Sequence, residues 1–191
     1  TMSHHPPRPS RRSFLARSAA VASTVALGPA CASTGKDDRR IPSAAERTQV
    51  ADGEAVRVAV IGTGGMGGGH IGGLLSARER GDEQLDIVAL CDVCQPRLDD
   101  RLAQVREKQT DVAVDGYADY HEVLARPDVH CVLIASPEHW HAPMAVDAIA
   151  AGKDVYLEKP MTLRLDDALW LQSVMEANPG MRLQVGTQYM M

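Results

Sequence analysis

Aromatic residues are scarce in this 191-residue sequence, which has one Phe, two Trp and four Tyr. A core of ordinary size must therefore be mostly aliphatic, and the length suits one domain rather than two. Cysteine is also rare, with four residues. Cys91 and Cys94 have the C-x-x-C spacing, but no second pair or His-x-x-His follows, which disfavours a zinc site. A redox role for this pair is the remaining alternative to two ordinary buried thiols.

The sequence also lacks an apolar run of the ~18 residues that a membrane-spanning helix requires. Its N-terminal apolar stretch, residues 18–30, is Ala-rich, uncharged and preceded by Ser10-Arg-Arg-Ser-Phe-Leu15. This order predicts a twin-arginine signal peptide over residues 1–32, cleaved after Ala32, and hence a periplasmic or secreted protein. A lipid anchor at Cys31 and a weak basic surface helix remain as alternatives.

Positive charge is low once this leader is set aside. Residues 1–32 contain four Arg and no acid, so the rest of the chain has 16 basic and 25 acidic residues. An acidic protein is a poor partner for nucleic acid or an anionic membrane. Residues 33–54 are polar and without periodicity, which predicts a linker or an arm on the domain surface.

A short β-branched run, Val56–Ile61, leads directly into G-x-G-x-x-G at Gly62, Gly64 and Gly67. The first glycine would allow a sharp turn, the second a close backbone approach to a pyrophosphate, and the third close packing of a helix on a sheet. The N–H groups at the start of that helix would face the phosphate charge. A loose loop is the alternative, because residues 62–73 contain eight glycines.

A second apolar run, Leu85–Cys91, predicts another buried strand and ends at Asp92. An acid at this distance from the glycine turn binds the adenosine ribose hydroxyls of a dinucleotide. The same charge repels a 2′-phosphate, so the sequence favours NAD over NADP as cofactor.

Strands and helices alternate along the rest of the chain, which predicts one α/β domain over residues 55–191, a doubly wound parallel sheet of the Rossmann type. Polar residues follow the strands, at the edge where such sheets bind ligands. The predicted strands are 56–61, 85–91, 130–135, 154–157 and 182–185, and the predicted helices are 97–109, 118–125, 143–151 and 166–177.

Two polar clusters at this edge are candidates for chemistry. The segment 136–141 carries two His and Trp140, which could cover a flat ring or bond a hydroxyl; a surface cap on the next helix is the alternative. Lys159 could donate to an oxygen that gains charge during hydride transfer, with Glu158 holding its ammonium or contacting the cofactor. A plain surface ion pair would explain these two residues equally well. The sequence has no third candidate ligand near these two His, which disfavours a metal site.

The segments "AVIGTGGMGGGH", "SPEHWHAPMAVDAIAAGKDVYLEKPM" and "LQVGTQ" together resemble the Gfo/Idh/MocA family of NAD(P)-dependent oxidoreductases over about residues 55–191. The resemblance implies that the glycine turn holds the pyrophosphate, that Asp92 binds the ribose, and that Lys159 is catalytic. It implies a small-molecule sugar or polyol substrate. The implied cofactor-binding residues are Gly62, Thr63, Gly64, Gly65, Met66, Gly67, Asp92, Ser136, Pro137, His139, Trp140, His141, Glu158, Lys159 and Gln188.

The family's second α/β domain, which supplies substrate contacts, oligomer contacts and a proton-transferring histidine, is expected after "VGTQ" and has no counterpart before Met191. This predicts that the 191 residues alone bind dinucleotide at most. Three functions stay open: a secreted sugar, cyclitol or polyol oxidoreductase, a redox-assisted glycosidase of the same fold, and a non-catalytic dinucleotide-binding fragment. The glycosidase branch replaces the lysine of Glu-Lys-Pro, so Lys159 favours the oxidoreductase.

Overall fold

The computed structural model describes residues 39–187, which fold as alternating strands and helices. A single 3₁₀ turn, Glu138–Trp140, precedes the fourth helix. The strands are β1 (Val56–Ile61), β2 (Leu85–Cys91), β3 (Asp115–Tyr117), β4 (Cys131–Ile134), β5 (Asp154–Glu158) and β6 (Leu183–Gly186), and the helices are α1 (Gly65–Arg80), α2 (Gln95–Lys108), α3 (Tyr120–Leu124), α4 (His141–Ala150) and α5 (Leu165–Ala177).

All six strands are parallel and lie in the order β3-β2-β1-β4-β5-β6. The chain builds one half of the sheet outward from β1 and then crosses back to build the other half from β4. The order therefore reverses between β1 and β4, and ligands of such sheets bind at the carboxyl ends of the strands at this point. The predicted doubly wound parallel sheet is confirmed.

The core has two layers, one on each face of the sheet. Val60 of β1 packs with Ile71 of α1 and Leu98 of α2 on one face. Its neighbours Ala59 and Ile61 pack with side chains of α3, α4 and α5 on the other. Successive residues of a strand point to opposite faces, which is why continuous apolar runs are required in the central strands.

The helix predicted after the glycine turn is confirmed, and the loose-loop alternative for residues 62–73 is excluded, because α1 begins at Gly65 and is 16 residues long. Its small residues allow close packing on α2: a Cβ at Gly68 would lie 2.5 Å from the Arg101 guanidinium. The strand β3 was not predicted at all.

Residues 39–48 form an ordered arm along α4 and α5. The backbone N–H of Ala45 donates to the carbonyl of Ala150 at 2.9 Å, and the Trp170 indole donates to the carbonyl of Arg40 at 3.0 Å. The buried Lys153 ammonium donates to the Thr48 hydroxyl at 3.3 Å. Residues 40, 45 and 48 therefore bond to the domain through backbone and side-chain groups.

The predicted signal peptide (residues 1–32) and the Cys31 anchor lie outside the described residues. Within residues 39–187, none of the helices combines the length and apolar character needed to cross a membrane.

Candidate functional site

The candidate site lies at the carboxyl edge of the sheet, where direct contacts connect the exits of β1, β2, β4 and β5. The glycine turn after β1 touches the β4 exit at Ala135. Thr63 in the same turn bonds Asp92 after β2. His70 in α1 bonds Glu158 at the end of β5. The topology thus brings together segments that are up to 88 residues apart in the sequence.

The first and third glycines of the turn are required by the backbone. Gly62 has φ +89°, and a Cβ there would lie 2.7 Å from the carbonyl carbon of Ala135. A Cβ at Gly67 would lie 1.8 Å from the carbonyl oxygen of Gly62, a distance that no side chain can adopt. These two positions fix the turn and the close approach of α1 to the sheet.

The second glycine faces open space instead. A Cβ at Gly64 would meet only the Arg97 guanidinium, at 3.9 Å, and one at Gly65 would meet nothing within 4 Å. No side chain caps α1, and its first turn contains no acid. Its first N–H groups are therefore available to an anion.

Asp92 is placed beside this turn. One carboxylate oxygen accepts from the backbone N–H of Thr63 at 2.8 Å and from its hydroxyl at 3.0 Å. The other accepts from the backbone N–H of Cys94 at 2.9 Å. Because a carboxylate has about four acceptor positions, Asp92 holds the turn in place and still has capacity for a ligand hydroxyl.

The segment 136–141 separates into exposed and buried parts. Pro137, His139 and Trp140 are exposed at the β4 exit, and Ser136 is half-buried. His141 is 1% exposed. Its Nδ1 lies 2.8 Å from the carbonyl oxygen of Pro160, and its Nε2 lies 2.8 Å from that of Ser136. His141 therefore joins two loops of the site rather than presenting a free nitrogen to a ligand.

Glu158 and Lys159 also differ in exposure. The Glu158 side chain is 3% exposed; one oxygen lies 2.7 Å from His70 Nε2. The other accepts from the backbone N–H of Lys159 at 2.8 Å. Lys159 is exposed, and no residue of the described chain pairs with its ammonium. The proposed surface ion pair between these two residues does not form.

Three residues at this edge were missed by sequence reasoning. His70 lies within the glycine-rich run, and its partner Glu158 is far along the sequence. Val93 directly follows Asp92 and is 90% exposed, unusual for an apolar residue. The Arg97 guanidinium lies near Gly64. The sequence carried a signal for Val93 and Arg97, which follow the acid at the end of β2. It carried none for the contact of His70 with Glu158.

The remaining predicted positions carry less information. Burial, together with the negative charge of Asp92, raises the pKa of the Cys91 thiol to about 12, which makes it a poor nucleophile and a poor metal ligand. Among residues 39–187, no group of three His, Cys, Asp or Glu could hold a metal ion. Gln188 lies outside the described residues.

Comparisons with known proteins agree with this geometry. The sequence model of the Gfo/Idh/MocA family, described as an oxidoreductase family with an NAD-binding Rossmann fold, matches residues 56–187. An alpha-N-acetylgalactosaminidase from Shewanella oneidensis is 34% identical over 117 residues, covering 60% of this chain and 24% of the relative.

Solved structures give a similar result. An NAD-binding oxidoreductase from Klebsiella pneumoniae is 31% identical with a TM-score of 0.59, over 69% of this chain and 34% of that one. The myo-inositol dehydrogenase from Lactobacillus casei, in complex with NAD(H) and myo-inositol, is 25% identical with a TM-score of 0.62, over 69% and 36%.

The chain spans about a quarter of the length of this curated relative and about a third of that of these solved chains. The family match covers more than half of the chain and includes the glycine turn, Asp92, Glu158 and Lys159. The chain belongs to the Gfo/Idh/MocA family of oxidoreductases.

Proposed function

We propose that this chain binds NAD and forms the cofactor half of an oxidoreductase that acts on a sugar, cyclitol or related polyol. The backbone N–H groups of residues 64–67 bind the pyrophosphate at the N-terminus of α1. Asp92 accepts hydrogen bonds from the adenosine ribose, and the exposed Val93 offers an apolar contact to the adenine. The negative charge of Asp92 favours NAD over NADP.

The nicotinamide half of the cofactor would lie between the β4 and β5 exits. Ser136, Pro137, His139 and Trp140 line one side of this space, and Trp140 supplies a flat apolar surface. Lys159 lies on the other side. Glu158 has a supporting role, because its side chain is buried and both of its carboxylate oxygens already have protein partners.

NAD supplies the hydride acceptor, C4 of its nicotinamide ring, when it is bound. Lys159 does the part of the chemistry that this chain contributes. Its ammonium donates a hydrogen bond to the substrate oxygen and stabilises the negative charge that develops there. As the secondary alcohol is oxidised, its hydride would pass to NAD and its hydroxyl proton to a base outside the described residues. The observation that carries this proposal is the exposed, unpaired Lys159 ammonium at the carboxyl edge of the sheet, among the residues that the structure describes.

The substrate class comes from the relatives. The myo-inositol dehydrogenase of similar fold was solved with myo-inositol, a cyclic polyol. A polyol supplies the secondary alcohol that the Lys159 proposal requires.

A redox-assisted glycosidase is the second candidate. The observation that favours it is the similarity to an alpha-N-acetylgalactosaminidase and to a glycosyl hydrolase family 109 protein from Shewanella baltica, which is 31% identical over 117 residues. In this reaction NAD would be reduced and reoxidised within one cycle, and the net change would be glycoside cleavage. Lys159 favours the first candidate, on the expectation from the family resemblance that the glycosidase branch replaces this residue.

One experiment separates the candidates. The protein, expressed from its complete reading frame, is incubated with NAD and a panel of sugars, inositols and aryl glycosides. Net NADH formation supports the oxidoreductase, and glycoside cleavage without net NADH supports the glycosidase. NAD binding with neither reaction leaves a non-catalytic dinucleotide-binding protein and contradicts the proposal.

We further propose that residues 1–32 direct export by the twin-arginine route. This route carries folded proteins, so the cofactor would be bound before export. Replacing Arg11 and Arg12 by Lys should retain the protein in the cytoplasm, as measured by fractionation. Unchanged export of that variant would contradict the proposal.

A further inference from the structure

His70 of α1 is connected to Lys159 through the side chain of Glu158. His70 Nε2 lies 2.7 Å from a carboxylate oxygen of Glu158. The other oxygen of Glu158 accepts from the backbone N–H of Lys159 at 2.8 Å. The neighbouring Tyr156 ring packs edge-on against His70, with centroids 5.4 Å apart. Burial raises the pKa of Tyr156, and the negative charge of Glu158 raises it further. An ionised Glu158 only accepts, so His70 is the donor.

A second histidine, His141 at the start of α4, contacts the backbone on the C-terminal side of Lys159. Its two ring nitrogens lie 2.8 Å from the carbonyl oxygens of Pro160 and Ser136. Carbonyl oxygens only accept, so a ring nitrogen of His141 bonds either one as an N–H donor. Pro160 directly follows Lys159. Ser136 directly follows Ala135, the residue of the β4 exit that lies against the glycine turn.

The two attachments come from opposite faces of the sheet. Ile71, the neighbour of His70 in α1, packs in the core layer of α1 and α2. Ala145 and Ile149 of α4 pack in the layer on the other face. The backbone of Lys159 is therefore held at its own N–H from one face and at the carbonyl of the next residue from the other.

We propose that His70 and His141 form a two-histidine brace that positions Lys159. They are positioning residues, because His70 Nε2 bonds Glu158 and the ring nitrogens of His141 face the carbonyl oxygens of Pro160 and Ser136. The α1 helix offers its N-terminal N–H groups to the pyrophosphate and carries His70 about one turn later, so one rigid element sets the distance between the cofactor and Lys159. The catalytic consequence rests on the proposed function. A misplacement of about 1 Å can reduce turnover by about 100-fold.

The first test uses kinetics of the protein expressed from its complete reading frame. In His70→Leu, kcat should fall by at least roughly tenfold, while KM for NAD should change by less than about twofold. His70→Gln retains an N–H donor of similar reach and should recover most of this loss. His121→Ala, an exposed histidine of α3, is the matched control and should retain wild-type kinetics. Equal kcat in wild type and His70→Leu would overturn the proposal.

A double-mutant cycle excludes a general loss of structure. If His70 acts by positioning Lys159, His70→Leu should reduce kcat much less in a Lys159→Ala background than in the wild type. Equal reductions in both backgrounds would show that His70 acts independently of Lys159. Thermal unfolding midpoints identify any variant that is unfolded at the assay temperature. If His70→Leu is unfolded, His70→Ala replaces it in the cycle, because Ala also removes the N–H donor.

A second measurement does not require turnover. In protein labelled with ¹⁵N-histidine, the brace predicts a slowly exchanging, downfield Nε2 proton for His70 that is lost in Glu158→Leu, which removes the acceptor. It also predicts a slowly exchanging ring N–H for His141, bonded to a backbone carbonyl oxygen. If these signals are present and no reaction is found, the proposed function fails and the brace geometry stands. If His70 gives no such signal, the brace fails whatever the activity.

Discussion

Asp92 should control the choice between NAD and NADP, and the structure shows how to test this without unfolding the site. Asp92→Ala would remove the acceptor of three hydrogen bonds, two from Thr63 and one from Cys94. Loss of hydrogen bonds to a charged group costs ~1.5–3 kcal/mol each and would leave the buried Thr63 N–H unsatisfied. Asp92→Asn is the better change, because its side-chain oxygen can still accept both bonds from Thr63.

The expected effect of Asp92→Asn has two parts. The amide nitrogen replaces the acceptor of the Cys94 N–H, so stability should fall by about 1–3 kcal/mol. Loss of the negative charge removes the repulsion of a 2′-phosphate. Two unit charges 4 Å apart interact by ~1 kcal/mol in water and ~4 kcal/mol near a protein surface. The affinity ratio of NAD to NADP should therefore narrow by about 1–4 kcal/mol, or roughly 5-fold to 900-fold.

Calorimetric titration with both cofactors measures this ratio, and denaturant unfolding measures the stability. Thr63→Val is the matched control: it removes the hydroxyl bond to Asp92 and keeps the charge, so it should lose ~1.5–3 kcal/mol of stability with an unchanged ratio of NAD to NADP affinity. A folded Asp92→Asn protein with the wild-type ratio would refute the ribose assignment.

Two further predictions concern the fold. Gly67→Ala should lower the free energy of unfolding by at least ~3 kcal/mol, because the new Cβ meets the Gly62 carbonyl oxygen. Gly65→Ala, whose new Cβ meets nothing, should change the free energy of unfolding by less than ~1 kcal/mol. Equal effects of the two variants in chemical denaturation would show that close packing at Gly67 does not matter. Burial lowers the pKa of His130 from its usual 6.5, and its Nδ1 accepts from the Arg57 N–H. The unfolded chain then binds the extra proton more readily, so acidification from about pH 7 to about pH 5 should destabilise the wild type more than His130→Asn. Parallel pH profiles of the two unfolding free energies would show that His130 does not contribute.

The sequence predicted the parts of this fold whose signal is local. The apolar run before Gly62 and the acid at Asp92 depend only on neighbouring residues, and both lie where the pattern indicated. β3 could not be predicted, because Asp115–Tyr117 is only three residues long and includes a glycine. Its extended form depends on pairing with β2, whose Ala89 lies opposite Asp115.

The site was predicted less completely, because its geometry depends on contacts that the local sequence does not encode. His139 and His141 are two residues apart, and spacing alone does not reveal that one is exposed and the other buried. The 3₁₀ turn Glu138–Trp140 before α4 decides this. The bond between His70 and Glu158 joins residues 88 positions apart and follows from the packing of α1 against the β5 exit, which no local pattern encodes.

A crystal structure of the protein grown with NAD tests the central claim most directly. The account predicts a pyrophosphate on the N–H groups at the start of α1, an adenosine ribose on Asp92, and a nicotinamide ring between Trp140 and Lys159. A dinucleotide bound elsewhere, or in the reverse orientation with its nicotinamide beside Asp92, would contradict it.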